Sequence, residues 1–229
     1  VESEEALPFD LGYIRLNGLY PGAGSRLIEQ LSAWKDENFY GAILDLRGAE
    51  GNDLESVNQI GSRFSDEGSM LYAFRDLTDK DLQVVRAAEV APLGLPLMVL
   101  INNTTSGAAG VLAAVLRESA NGAMLIGGES DHDLLVRDLL GLPEGRKAYV
   151  VTQKLVLANG KSFKGLGGVK PDIEVLEDKD GSPESPGVVQ KNRREITEEE
   201  SKSMEDDKTM RERIRYDPVL RRAVDMLLG

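Results

Sequence analysis

The chain has no cysteine, one histidine and only 5% aromatic residues in 229 positions. Without cysteine there are no disulfides, thiolate metal sites or cysteine nucleophiles. The single histidine, His132, rules out a histidine-rich metal centre and leaves any Ser-His-Asp triad resting on one residue. Basic residues are scarce beside acidic ones, 27 against 39, so the net charge is −12. Phosphate contacts need clustered Lys and Arg, which argues against a nucleic-acid partner. No apolar run approaches the ~18 residues of a membrane-spanning helix. The few aromatics give little sign of a sticky recognition surface, although a groove needs few. Hydrophobic residues make up 41% of the chain. A chain of this length forms one large domain, or one domain with an appendage, and buries roughly 70% of its unfolded surface. It begins at Val1 with no visible signal peptide, which reads as a processed product or an excised segment.

Hydrophobic periodicity predicts alternating strands and helices. Residues 1–10 are acidic and read as a linker. LGYIRL (11–16) alternates like a strand, and SRLIEQLSAW (25–34) has helical spacing with Ser25 as a cap. YGAILDLR (40–47) reads as a buried strand. The loop GAEGN (48–52) follows, and Asp53 is placed to cap a helix reaching Phe64. Met70–Arg75 and Leu82–Ala87 suggest a hairpin. PLMVLIN (96–102) is the most apolar strand and leads through Asn103–Ser106 into the small-residue helix GAAGVLAAVLRES. Shorter strands are expected at Met124–Ile126, Lys147–Gln153 and Asp172–Leu176. This order predicts an α/β fold whose largely parallel sheet is covered on both faces. The core is expected over 11–177. A linker over 178–194 and acidic and amphipathic C-terminal helices over 195–229 follow, the last capped by Asp217 with Pro218 in its first turn.

Chemistry is expected where INNTTSGAAGVLAAVL turns from strand to helix. A helix start presents free N–H groups and a positive dipole end to an oxyanion. Thr104, Thr105 and Ser106 supply hydroxyls there, and the same residues are also good helix caps. A nucleophilic serine needs a base. No lysine lies between Lys80 and Lys147, and His132 is flanked by Asp131 and Asp133 on an expected loop. Those three residues match no strong metal motif, and no cofactor is implied.

Six segments resemble, in order and spacing, the C-terminal processing, or tail-specific, serine proteases: GYIRL, AILDLR, PLMVLINNTTSGAAGVLAAVL, LIGGE, GLPEG and ANGKSFKGLGGVKPDIEV. The likeness runs from about Gly12 to Val175, and DPVLRRAVDMLL resembles the family's last helix. The resemblance implies a β/α core of the Clp protease and crotonase type, preceded by a PDZ domain that here would lie before Val1. It also implies a periplasmic or cell-envelope location, peptide or unfolded C-terminal substrates, and possible homo-oligomers. The family's nucleophile, the middle serine of V-N-x-G-S-A-S-A-S-E, falls on Gly107. Its general-base lysine, in G-E-x-T-F-G-K-G-x-V-Q, falls on Leu134, and the supporting glutamine on Asp138. Gly51, in the loop after DLR, and Ala108 remain as oxyanion-binding backbone.

Three readings follow. The first is a non-catalytic domain that binds peptides or builds an assembly. The second is a serine endopeptidase with a displaced nucleophile, Ser106, and Lys147 or Lys154 as the nearest bases in sequence. The third, by fold analogy alone, is a crotonase-type acyl enzyme.

Overall fold

The computed structural model describes residues 3–7, 10–130, 135–160, 168–175 and 211–229. Its centre is a six-stranded sheet in the order β1 (Ser3–Leu7), β2 (Leu11–Arg15), β4 (Gly41–Asp45), β8 (Leu97–Ile101), β9 (Met124–Gly127) and β12 (Ile173–Glu174). All neighbours after β1 run parallel, and β1 pairs antiparallel with β2 from Ser3↔Arg15 to Leu7↔Leu11. The acidic segment expected to be a linker is therefore an edge strand in part. An edge strand pairs on one side only, so polar residues suit it.

Both faces of the sheet are covered, because these strands are apolar at nearly every position. β4 and β8 are buried throughout. On one face Ile14, Ala42, Leu44, Val99, Ile101 and Leu125 pack beneath three helices: α1 (Ala23–Asp36), α2 (Leu54–Ser62) and α3 (Gly107–Glu118). On the other, Leu11, Tyr13, Ile43, Met98, Leu100 and Ile126 meet Val219, Leu220, Ala223 and Val224 of α4 (Pro218–Leu228). Each such side chain stabilises the fold by roughly 1.5–3 kcal/mol on full burial. A Cβ at Gly12 would come within 2.1 Å of the Trp34 ring, so glycine there lets α1 lie close on β2.

Two helix starts differ from their sequence expectation. α1 is capped by Gly22, with φ +89, and Ser25 lies inside its first turn, bonding Gln59 of α2 instead. Asp53 does precede α2, but its carboxylate accepts from the Ser56 hydroxyl (2.5 Å), which in turn accepts from the Gly24 N–H (2.9 Å). The pair thus ties α2 to α1. At α4 the expected cap is present: Asp217 Oδ1 accepts from the N–H groups of Val219 (3.0 Å) and Leu220 (2.9 Å).

A second, antiparallel sheet has the order β10 (Leu135–Gly141), β11 (Lys147–Leu157), β6 (Met70–Asp76) and β7 (Asp81–Arg86). The expected β6–β7 hairpin is present. β10 was not foreseen: its apolar residues do not alternate strictly, and it is an edge strand paired to β11 alone. A short pair, β3 (Gly18–Leu19) and β5 (Glu50–Gly51), completes the strands. Residues 178–210, expected as a linker and an acidic helix, lie outside the described residues.

Candidate active site

The parallel strands β4, β8 and β9 deliver their C-terminal ends to one edge of the sheet. Ligands of open α/β sheets bind beyond such ends. The loops after β4 and β8 are stitched together there. Asn102 Oδ1 accepts from the Gly48 N–H (3.2 Å), the Thr104 N–H (3.1 Å) and the Thr104 hydroxyl (2.8 Å). Thr105, fully buried, donates its hydroxyl to the Leu46 carbonyl (2.8 Å) and accepts from the Asn102 N–H (3.1 Å). The Ser106 N–H donates to the Ala49 carbonyl (2.9 Å). Two of the three hydroxyls expected at the helix mouth are therefore structural.

Ser106 stands at the N-cap of α3 with extended backbone (φ −147, ψ 176) and makes no side-chain cap bond. It is half-buried. Gly107 opens the helix in the left-handed region, at φ +56. A Cβ built on it would lie 2.3 Å from the Gly51 carbonyl oxygen and 3.3 Å from the Gly51 nitrogen. Gly51 has φ +123, and a Cβ there would lie 2.2 Å from the Leu19 carbonyl oxygen. The backbones of residues 51 and 107 thus pass at a distance only glycine allows. Beside them the N–H groups of Ala108 and Ala109, in the first turn of α3, have no intrahelical acceptor and carry the positive end of the helix dipole.

The candidate bases divide. Leu134, onto which the resemblance lays the family's lysine, and Asp131, His132 and Asp133 lie outside the described residues. Asp138 is on β10, opposite Val150. Lys147 opens β11 in solvent, opposite Gly141 at the far end of the hairpin. Lys154 is buried, at 4% exposure, and its ammonium is bonded to the Asp79 carboxylate in the β6–β7 turn. Among the described residues, no group of three or more His, Asp or Glu could hold a metal ion.

One constellation was missed from sequence. Asp45, fully buried at the end of β4, receives Arg47 Nε (2.9 Å) and Nη2 (2.6 Å) and the Tyr13 hydroxyl (2.8 Å). The same guanidinium reaches Asp217 through Nη1 (3.1 Å) and Nη2 (2.6 Å). Arg213 donates to the Tyr13 hydroxyl (3.0 Å) and lies 4.8 Å over its ring. Burial disfavours the Asp45 charge, but hydrogen bonds and charge from Arg47, with the Tyr13 hydroxyl, overcome it and hold the carboxyl below its usual pKa. Burial likewise opposes Arg47, and the two carboxylates outweigh it and raise its pKa. The Tyr13 phenol is pushed up by burial first and by the Asp45 charge second. The available signal was an Asp and an Arg closing an otherwise wholly apolar strand, because buried charges occur in pairs.

The family model of peptidase family S41 matches residues 10–175. The carboxyl-terminal-processing protease of Picosynechococcus sp. is 28% identical over 169 residues, covering 73% of this chain and 40% of that protein. Carboxyl-terminal-processing peptidase 1 of Arabidopsis thaliana, a chloroplastic protein, is 27% identical over 167 residues, covering 72% and 34%. The chain thus spans 40% or less of the length of these relatives. Among solved structures, the photosystem II D1 C-terminal processing protease has a TM-score of 0.63 at 22% identity, covering 72% of this chain and 42% of that one. A peptidase-like protein of Parabacteroides merdae has a TM-score of 0.67 at 17% identity, covering 99% and 64%. These likenesses establish the fold, the α/β core with a parallel sheet expected from sequence. With the match running through most of its length, the chain belongs to peptidase family S41.

Proposed function

We propose that this S41 chain is a catalytically silent member of the family. On this reading it binds extended peptide segments, such as unfolded C-termini, at the mouth formed by the loops after β4 and β8. The carrying observation is Gly107, onto which the resemblance lays the family's nucleophile: it has no hydroxyl, and a Cβ would meet the Gly51 carbonyl at 2.3 Å. The resemblance lays the family's lysine on Leu134, and a leucine offers no route for a serine proton. The backbone N–H groups of Gly51 and Ala108 remain as peptide-carbonyl donors. An envelope or periplasmic location, an upstream PDZ domain and self-association belong to the same reading, as what the family resemblance implies.

A second reading keeps the enzyme, as a serine endopeptidase acting through Ser106. It is favoured by one fact, that the Ser106 hydroxyl is half-buried at the helix mouth and unused as a cap. Fluorophosphonate labelling of the folded chain, read by intact mass and peptide mapping, separates the two. The silent reading expects no adduct. An adduct on Ser106, abolished in Ser106→Ala, would replace it with the enzyme.

A further inference from the structure

At the other end of α3 from the helix mouth, a cleft of about 340 Å³ opens between the α2–β6 loop, the last turn of α3 and the end of β11. Its polar side chains are Ser65, Asp66, Ser69, Glu118 and Ser119, and its apolar lining includes Met70, Leu71, Val115 and Ala158. Among the described residues, no lysine, arginine or histidine lines it. We infer that this cleft binds an alkylammonium cation, with the ammonium among the oxygens and the carbon stem on the apolar wall.

The argument rests on where the hydroxyl protons go. Each serine has one proton to donate and two lone pairs to offer. Ser69 donates to the Asp66 carbonyl (2.5 Å). Ser119 donates to the Val115 carbonyl (2.8 Å). Ser65, buried at 3% exposure, lies 2.9 Å from Ser119 Oγ, and because the Ser119 proton is committed, Ser65 is the donor in that pair. All three protons are spent within the wall, so the lining side chains offer only acceptors to an occupant. Asp66 is a carboxylate exposed to the cleft. Glu118 gives one oxygen, Oε1, to Arg117 (3.2 Å) and keeps the other. The last turn of α3 adds the negative end of its dipole. An anion would meet the carboxylates of Asp66 and Glu118, and a neutral acceptor would find no donor among the described side chains. A cation with several N–H donors and a short apolar stem satisfies those acceptors and the apolar wall, and the cleft is large enough to admit one.

Two sources supply that chemistry: a free amine such as a polyamine, and a lysine side chain of a polypeptide. The full chain, labelled with nitrogen-15, is titrated with n-butylammonium chloride, spermidine and Nα-acetyl-lysine amide. Neutral n-butanol and matched sodium chloride serve as controls. Saturable shifts are expected at amides of residues 65–71 and 115–120 with the amines and not with the controls. Asp66→Asn, at an exposed position, should leave the spectrum dispersed and weaken butylammonium binding at least about tenfold, the loss of one charge-assisted contact. Tighter binding of spermidine assigns the free amine, and tighter binding of the lysine amide assigns a polypeptide ligand. Absence of saturable shifts in the native chain, equal shifts with butanol, or unaltered affinity in Asp66→Asn would each overturn the inference. None of these outcomes depends on Ser106 or Gly107.

Discussion

Replacing Arg47 should be the most damaging single change near the candidate site. Its guanidinium is shared by Asp45, whose side chain is 0% exposed, and Asp217, at 18%. Arg47→Met keeps the volume and leaves the Asp45 carboxylate with the Tyr13 hydroxyl as its remaining side-chain donor. Breaking one side of a buried pair costs about 3–5 kcal/mol. Asp217→Ala removes a more accessible partner and a helix cap, together about 1–3 kcal/mol. Asp217→Asn removes the charge but keeps a capping oxygen, so it should cost about 1 kcal/mol less than the alanine variant. Urea unfolding would be followed both by far-ultraviolet circular dichroism and by the fluorescence of Trp34, the single tryptophan, buried at 4% exposure against β2. Trp34 sits on the face opposite α4, so a common midpoint for the two probes would place the latch within the global transition. The Arg47→Met and Asp217→Ala costs should be non-additive, because one guanidinium serves both carboxylates. Arg47→Met with a midpoint equal to the parent, or additive costs, would refute the reasoning. The pH dependence supplies a sign. The Asp45 pKa is lowered on folding. Its contribution is therefore complete above the unfolded carboxylate value, about 3.9, and is lost as pH falls through the lower folded value. The parent should lose stability steeply in that acid range, and Arg47→Met less so.

Two further predictions concern the helix mouth and its neighbour. Gly107→Ser should destabilise by about 1–3 kcal/mol in denaturant, from the φ of +56 and the 2.3 Å approach to Gly51; a neutral effect would mean that the loop after β4 yields readily. Tyr72 is pushed up to about 12 by burial, against the opposing hydrogen bond to Asn58. A raised phenol stabilises fully below its unfolded value of about 10 and loses that contribution as pH rises toward 12, so Tyr72→Phe should flatten the alkaline decline in melting temperature, and an unchanged slope would contradict the assignment.

The sheet was legible because buried parallel strands leave plain apolar runs: AILDLR and PLMVLIN hold most of Gly41–Asp45 and all of Leu97–Ile101, two strands buried throughout. The helix over 107–118 was legible for the same reason, since its small residues match a surface pressed against a sheet. What escaped notice depended on partners distant in sequence. β1 is a strand because β2 offers it a free edge, and nothing in VESEEALPFD announces that. Gly22 displaced Ser25 as the α1 cap because the turn before the helix needs a left-handed residue. The Asp45–Arg47–Asp217 latch joins residues 170 positions apart, beyond any local pattern.

The same distinction applies to the mouth, whose shape does not depend on a side chain at position 107. The shape comes from backbone and buried polar contacts: Asn102 on Gly48, Thr105 on Leu46, and the Ser106 N–H on Ala49. None of these uses a side chain at position 107, where the Gly51 carbonyl leaves room only for hydrogen. Substitutions at Asn102 and Thr105 thus act on the frame of the mouth. Thr105 is fully buried, so its loss would take the hydroxyl acceptor from the Asn102 N–H and one of two donors from the Leu46 carbonyl, which keeps the Ala49 N–H; that cost falls on the frame itself.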